Sequence, residues 1–120
     1  MIKIVSLLKR KSGMSRADFI AHYESTHAPL AVRLVPGLID YRRSFIDPSR
    51  PAFGLNSEWP GFDVITELVF ADEASYAAAL AEFAKPEVAA AIVADEENLF
   101  DRSCMRAYVV EEHRSKLKTD

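Results

Sequence analysis

Two of the chain's three histidines and one of its four tyrosines fall in one short run, His22-Tyr23-Glu24-Ser25-Thr26-His27-Ala28-Pro29-Leu30. His27 is the strongest candidate for chemistry. An imidazole ionises near neutral pH, so it can take or give a proton there. It lies eight residues after Phe19 and four after Tyr23, so on a helix all three share a face. Tyr23, one turn earlier, is placed to orient the imidazole or a substrate oxygen. A structural use competes with this one: Pro29 removes a backbone donor, and a core histidine can bond the group left free. For Tyr23 the competing use is a core ring with its hydroxyl at the rim. His22 falls off the apolar stripe and is expected to face solvent. Five residues also separate it from His27, which puts the two on different helix faces, and no cysteine pair exists. A metal site is therefore not expected.

Further candidates lie outside this run. Asp63 and Glu67 alternate with Ile65 in a strand-like stretch, so they share a face. Carboxylates among apolar neighbours need partners. Arg42, Arg43 or Arg106 can pair with them across a sheet, or one of the two can fix His27. Trp59 stands beside Phe53 and Phe62 in a long loop, where an aromatic cluster suits a lid over an apolar ligand or packing of the loop itself. Cys104 has no basic partner at a recognisable spacing and reads as a core thiol. His113 falls in a charged tail that starts at about residue 112.

The elements that must position these residues follow from periodicity. Ile2 to Lys9 alternates and is β-branched, so it reads as a strand. Ser15 is a good helix N-cap, with Asp18 three residues on. A helix from Arg16 carries Phe19, Tyr23, His27 and Leu30 on its inner stripe, with Thr26 and Leu34 extending it. A kink or break is expected at Pro29 and an end at Pro36-Gly37. Leu38 to Ile46 reads as a strand with Ile39, Tyr41, Arg43 and Phe45 on one face. Asp47 to Gly61 is a long loop, expected to be mobile or ligand-responsive. Phe62 to Phe70 is a third strand. Asp72 caps a helix with Tyr76, Leu80 and Phe83 inward. Pro86 opens another through Val88 and Ile92. Ser103 to Val110 is the last strand. The order βαββαβ is that of an α+β, ferredoxin-like fold: a four-stranded antiparallel sheet with helices on one face. Its third and fourth strands carry apolar residues on both faces (Val64, Leu68 and Phe70 against Ile65 and Val69), so a second copy of the sheet is expected to cover the open face in a homodimer.

Composition narrows the function. The chain has 120 residues and a net charge of −3, enough for one domain with a real core. Without a basic cluster, nucleic acid is not an expected partner. No apolar run is long enough to span a membrane. The alternating N-terminus does not read as a signal peptide. The single cysteine, Cys104, fits a reducing cytoplasm. No nucleotide, metal or flavin fingerprint is present, so no cofactor is expected and any chemistry rests on side chains.

The opening IKIVSLLKRKSGMSRADFIAHYESTHAPLAVRLVPGLIDY resembles that of EthD-domain proteins. There a strand leads into a helix with an aromatic residue, then His-Ala-Pro and Pro-Gly-Leu. The segments FDVITELVF, AKPEVAAAIVADEENLF and AYVVEEH resemble the family's later blocks. The resemblance implies a dimeric α+β barrel, two ferredoxin-like subunits packed sheet to sheet, each with a pocket between sheet and helices. Phe19, Leu30, Trp59 and Phe62 then become substrate-contacting, and His27 matches the family's histidine. The wider superfamily holds polyketide cyclases, muconolactone isomerases and cofactor-free monooxygenases, and the EthD family is associated with degradation of an ether fuel additive. The expected function is a cofactor-independent enzyme acting by acid–base chemistry on a small hydrophobic, oxygenated or aromatic compound. His27 would be the acid–base group, with Tyr23 and a carboxylate, Asp63 or Glu67, in support. The alternative is a non-catalytic accessory or ligand-binding protein of a catabolic oxidoreductase system.

Overall fold

The computed structural model describes residues 1–55, 58–59 and 61–118. Four strands, β1 (Ile2–Leu8), β2 (Leu38–Phe45), β3 (Val64–Phe70) and β4 (Arg106–Val110), form one sheet in the order β2-β3-β1-β4. Every neighbouring pair is antiparallel. The helices are α1 (Arg16–His22), α2 (Ala28–Leu34), α3 (Glu73–Phe83) and α4 (Pro86–Leu99). This is the ferredoxin-like arrangement expected from the element order. The last strand starts later than expected, because Arg102–Cys104 forms a 3-10 turn capped by Asp101.

The first helical segment differs most from expectation. It neither breaks nor stops at Pro29. Tyr23–His27 forms a single π turn joining α1 to α2, and His22, His27 and Ala28 all keep helical dihedrals. The Ala28 N–H donates to the Tyr23 carbonyl, five residues back. Pro29 has no N–H to place and sits in the first turn of α2, where none is required. A wider turn before it also relieves the clash between a proline ring and the carbonyl one α-turn earlier. Thr26, expected on the inner stripe, is exposed.

Two smaller corrections have the same kind of cause. A register shift between Leu38 and Asp40 turns Ile39 out to solvent, while Leu38, Tyr41 and Phe45 face the helices. On α3 the buried residue is Ala79, with Tyr76 beside it, and Leu80 and Phe83 are exposed. The inner stripe of α3 is narrow and centred on Ala79, so the large side chains misplace its phase. Of the long loop, positions 56, 57 and 60 lie outside the described residues.

The core has two parts on one face of the sheet. Leu8, Phe19, Tyr23, Val64, Leu99 and Phe100 form one; Val35, Phe70, Ala79, Val88 and Ile92 form the other. Phe100 is carried into the first by a bridge between Arg10 and Phe100, flanked by bonds from Lys11 N–H to Leu99 O and from Asp101 N–H to Lys9 O, each 2.9 Å. The opposite face keeps the apolar residues Val5, Leu7, Ile65, Val69 and Val110 beside Lys3, Glu67 and Arg42. On β4, Tyr108 is 60% exposed in the single chain. The expected cover for that face would come from a second copy. Among the described residues no helix is long and apolar enough to cross a membrane.

Leu99 closes the end of α4 over the core and is 0% exposed. Leu99→Ala is expected to cost about 2–5 kcal/mol by urea denaturation, because the rigid ring cluster around it cannot collapse into the space. A loss below ~1 kcal/mol would mean that this junction repacks freely.

Candidate active site

The π turn decides the geometry of the site. In a regular α-helix, residues five apart point about 140° from each other. A π turn takes up one more residue, so His22 and His27 come to the same side. Both meet one carboxylate on α4. His27 Nδ1 is 2.8 Å from Asp95 Oδ2, and His22 Nε2 is 2.8 Å from Asp95 Oδ1. An ionised carboxylate only accepts, so both imidazoles donate to it. The expectation that His22 is a solvent-facing bystander is corrected: it is half-buried and shares its partner with His27.

The carboxylate beside His27 is therefore Asp95, not Asp63 or Glu67. Asp63 is buried and spent locally. It accepts the Arg10 backbone N–H at 2.8 Å, with Arg10 Nε at 3.5 Å. Glu67 lies on the face away from the helices, where Lys3 (3.2 Å) and Arg42 (3.5 Å) pair with it across the strands. Asp95 carries a readable signal. Val88, Ile92, Asp95 and Leu99 are the buried residues of α4, spaced four, three and four apart. A carboxylate on an otherwise apolar stripe has to meet a partner inside the fold.

His27 is 7% exposed. Tyr23 and Phe100 approach its ring edge to face, with centroids 5.4 and 5.3 Å away. Asp95 holds Nδ1–H, which leaves the lone pair on Nε2. Among the described residues no group bonds Nε2, and no buried polar atom is left unpaired, so Nε2 keeps contact with solvent. The pair has the layout of a carboxylate-oriented base: one nitrogen fixed, the other open to a reactant. Next to it, burial pushes the Glu96 carboxyl up from its usual value, while His27 and Arg102 pull it down.

Tyr23 is 1% exposed and bonds the buried Thr66 hydroxyl at 2.7 Å. Burial first, and then the neighbouring Tyr41, push its phenol far above the usual range. It stays a neutral hydroxyl and acts by packing. Phe19, Phe45 and Phe100 surround it edge to face at 5.5–6.0 Å. These rings fill the space between sheet and helices where a pocket was expected, and Phe19, at 0% exposure, is core. On the β2 side, Arg43 forks onto Glu24 (2.9 and 2.7 Å) and lies 4.7 Å over the Tyr41 ring. This bidentate pair holds the Glu24 carboxyl below its usual value.

The other expected contact residues lie apart. Leu30 is half-buried on α2, one turn past His27. Phe62 is half-buried just before β3. Trp59 faces clefts bounded by Arg10, Pro48 and Asp63, none of which includes His27. Cys104 is half-buried, its thiol 3.4 Å from Asp101. Among the described residues no group of three or more His, Cys, Asp or Glu is placed to hold a metal ion.

A four-stranded antiparallel sheet under helices places the molecule in the ferredoxin-like α+β class, and comparison with solved structures agrees. An ethyl tert-butyl ether D (EthD) family protein from Bacillus halodurans is 23% identical, with a TM-score of 0.63 over 94% of this chain and 99% of that one. A dimeric ferredoxin-like protein of unknown function from Thermobifida fusca is 13% identical, TM-score 0.58, over 91% and 88%. SnoaB, a cofactor-independent oxygenase from Streptomyces nogalater, is 16% identical, TM-score 0.51, over 95% and 94%. No curated protein matches the chain. The EthD domain profile matches residues 11–103, and the chain belongs to that family. The matched span contains His22, Tyr23, His27 and Asp95.

Asp95→Ala leaves two donors without their acceptor. It is expected to cost roughly 1.5–3 kcal/mol in urea denaturation, the usual range for bonds to a charged group. The NMR ring signals of His22 and His27 should move together, with His113 in the tail as the unaffected control. Movement of only one ring would break the shared-carboxylate geometry.

Proposed function

We propose that the chain is a cofactor-independent acid–base enzyme acting on a small hydrophobic, oxygenated organic compound. The observation that carries this reading is the Asp95–His27 pair, with Nδ1 held at 2.8 Å and Nε2 open. In the proposed reaction Nε2 takes a proton from a carbon or hydroxyl activated by a neighbouring carbonyl. Asp95 stabilises the imidazolium, and the same proton returns at another atom of the substrate. That sequence gives an isomerisation, cyclisation or elimination without redox change. His22 acts through Asp95, fixing the carboxylate from its other oxygen. Fold likeness to a cofactor-independent oxygenase supports small-molecule work on this scaffold, but the chemistry is argued from the side chains.

One observation favours a second reading, that of a non-catalytic ligand-binding or accessory protein. The aromatic rings fill the space beside His27, as a core histidine would require. The two readings part on proton exchange. A panel of enolisable ketones and phenolic esters is incubated in D₂O and followed by NMR. A catalyst is expected to speed deuterium incorporation into one compound. His27→Asn should then lower that rate by about 10²- to 10⁴-fold per folded molecule, measured under conditions where its amide spectrum shows the native fold. If no compound exchanges faster with protein than without, and none moves the His27 ring signals, the enzymatic reading fails.

The proposal includes a homodimer packed sheet to sheet. Val5, Leu7, Ile65, Val69, Tyr108 and Val110 form the covered apolar patch, and Lys3, Glu67 and Arg42 form a paired charge layer within it. A stable pair would bury more than about 1,000 Å². Sedimentation is expected to give a dimer at micromolar protein, and Tyr108→Glu to give monomer. A wild-type monomer under those conditions would remove the dimer from the proposal.

A further inference from the structure

Trp59 is the chain's one tryptophan and is 41% exposed. It stands between two clefts that share Trp59, Arg10 and Asp63. One, of about 510 Å³, runs over Lys9 and Lys11. The other, of about 380 Å³, runs toward Arg16 and Pro48. Both volumes fall in the range that holds small ligands.

The charge on this wall runs against the sign of the molecule. The chain carries −3 overall, yet Lys9, Arg10, Lys11 and Arg16 gather around one indole. The carboxylates present are already occupied. Asp63 takes the Arg10 backbone N–H and faces Arg10 Nε. Asp101 accepts from the Ser103 N–H and hydroxyl at 3.1 and 2.6 Å. Among the described residues Lys9, Lys11 and Arg16 make no ion pair. Arg16 is tethered by its Nε to the Ile46 carbonyl at 3.2 Å, which holds the guanidinium beside the cleft.

We propose that this cleft is a binding site for a small aromatic anion, distinct from the Asp95–His27 site. The ring of the ligand packs on the Trp59 indole, whose flat apolar face is half open to solvent. Its carboxylate or sulfonate sits among Arg10, Lys11 and Arg16, where charge-assisted bonds strengthen and orient it. Neither part suffices alone. A neutral ring leaves the Lys11 and Arg16 charges without an ion pair, and a bare anion leaves the indole wet. The site does not depend on His27 and stands whether or not the acid–base reading holds.

The single indole gives a direct readout, since ¹⁵N-labelled protein has one tryptophan side-chain N–H signal. Three probes are titrated: 2-naphthoate, the neutral naphthalen-2-ylmethanol, and sulfate. Naphthoate is expected to shift the indole signal saturably and to bind at least about tenfold more tightly than either other probe. Added sodium chloride should weaken it, because exposed charges are screened. The Lys11→Gln/Arg16→Gln double variant should reduce naphthoate to the affinity of the alcohol, with the rest of the amide spectrum unchanged. Equal binding of the alcohol would show only an apolar patch, and equal binding of sulfate only a charge patch. Either result overturns the proposal. So does the absence of a saturable shift by ~10 mM naphthoate, or a double variant that binds as wild type. An indole that a soluble paramagnetic agent cannot reach in the free protein would show the cleft covered and overturn it too.

Discussion

A carboxylate inside a helical interface has to be answered, and Asp95 is answered twice. Ionised and nearly out of water, it would be costly alone. Two imidazole N–H groups, each at 2.8 Å, make up that cost. Both come from one helix, five residues apart, and a regular α-helix cannot present them together. The π turn at Tyr23–His27 follows from this requirement, and Pro29 fits directly after it because it asks for no donor. Through the same bonds α4 is tied to the first helical segment at a fixed height. That height sets where Leu99 and Phe100 enter the ring cluster around Tyr23. One polar contact thus fixes the register of the apolar core around it.

The remaining carboxylates show how firmly the two faces of the sheet are separated. Glu67 pairs with Lys3 and Arg42 on the outer face, and Thr66, its neighbour in sequence, bonds Tyr23 on the inner one. A strand alternates sides at every residue, so no small movement brings Glu67 to His27. Asp63, just before β3, is held by the backbone of Arg10 and closes the end of the sheet instead. Beside Trp59 it faces Arg10, while Lys9, Lys11 and Arg16 on that wall make no ion pair among the described residues.

The strands, the helix order and the stripe of Phe19, Tyr23 and His27 were legible because apolar periodicity records burial directly. The partner of His27 was not. A period of 3.6 residues places His22 on another face, and only an i to i−5 turn reverses that, a feature that leaves no periodic trace. Asp95 itself was visible in principle, as the one charged residue on the Val88, Ile92, Leu99 stripe. Strand carboxylates next to apolar residues, Asp63 and Glu67, give a louder signal than one acid on a helical stripe. Ile39 and Leu80 were misplaced for a related reason. A bulge in β2 shifts the alternation by one residue, and the inner face of α3 is centred on a small residue, Ala79, so neither phase follows the large side chains.

The ring cluster also divides labour between Tyr23 and His27. Both sit on the inner face, and both were candidates to move a proton. Burial pushes the Tyr23 phenol far upward, and its hydroxyl already spends itself on Thr66. It cannot become a base near neutral pH, and giving up its proton would strand a charge among Phe19, Phe45 and Phe100. Asp95 is bonded through both oxygens. Burial pushes the Glu96 carboxyl up from its usual value, and Arg102 engages it at 3.4 Å. At His27, Nε2 is the nitrogen without a partner among the described residues. The surrounding groups restrict access to that nitrogen. Tyr23 and Phe100 close the ring's flanks and Asp95 closes its Nδ1 side, so approach is confined to the Nε2 edge. That edge lies at the margin of the aromatic core, with the core as a rigid wall behind the imidazole.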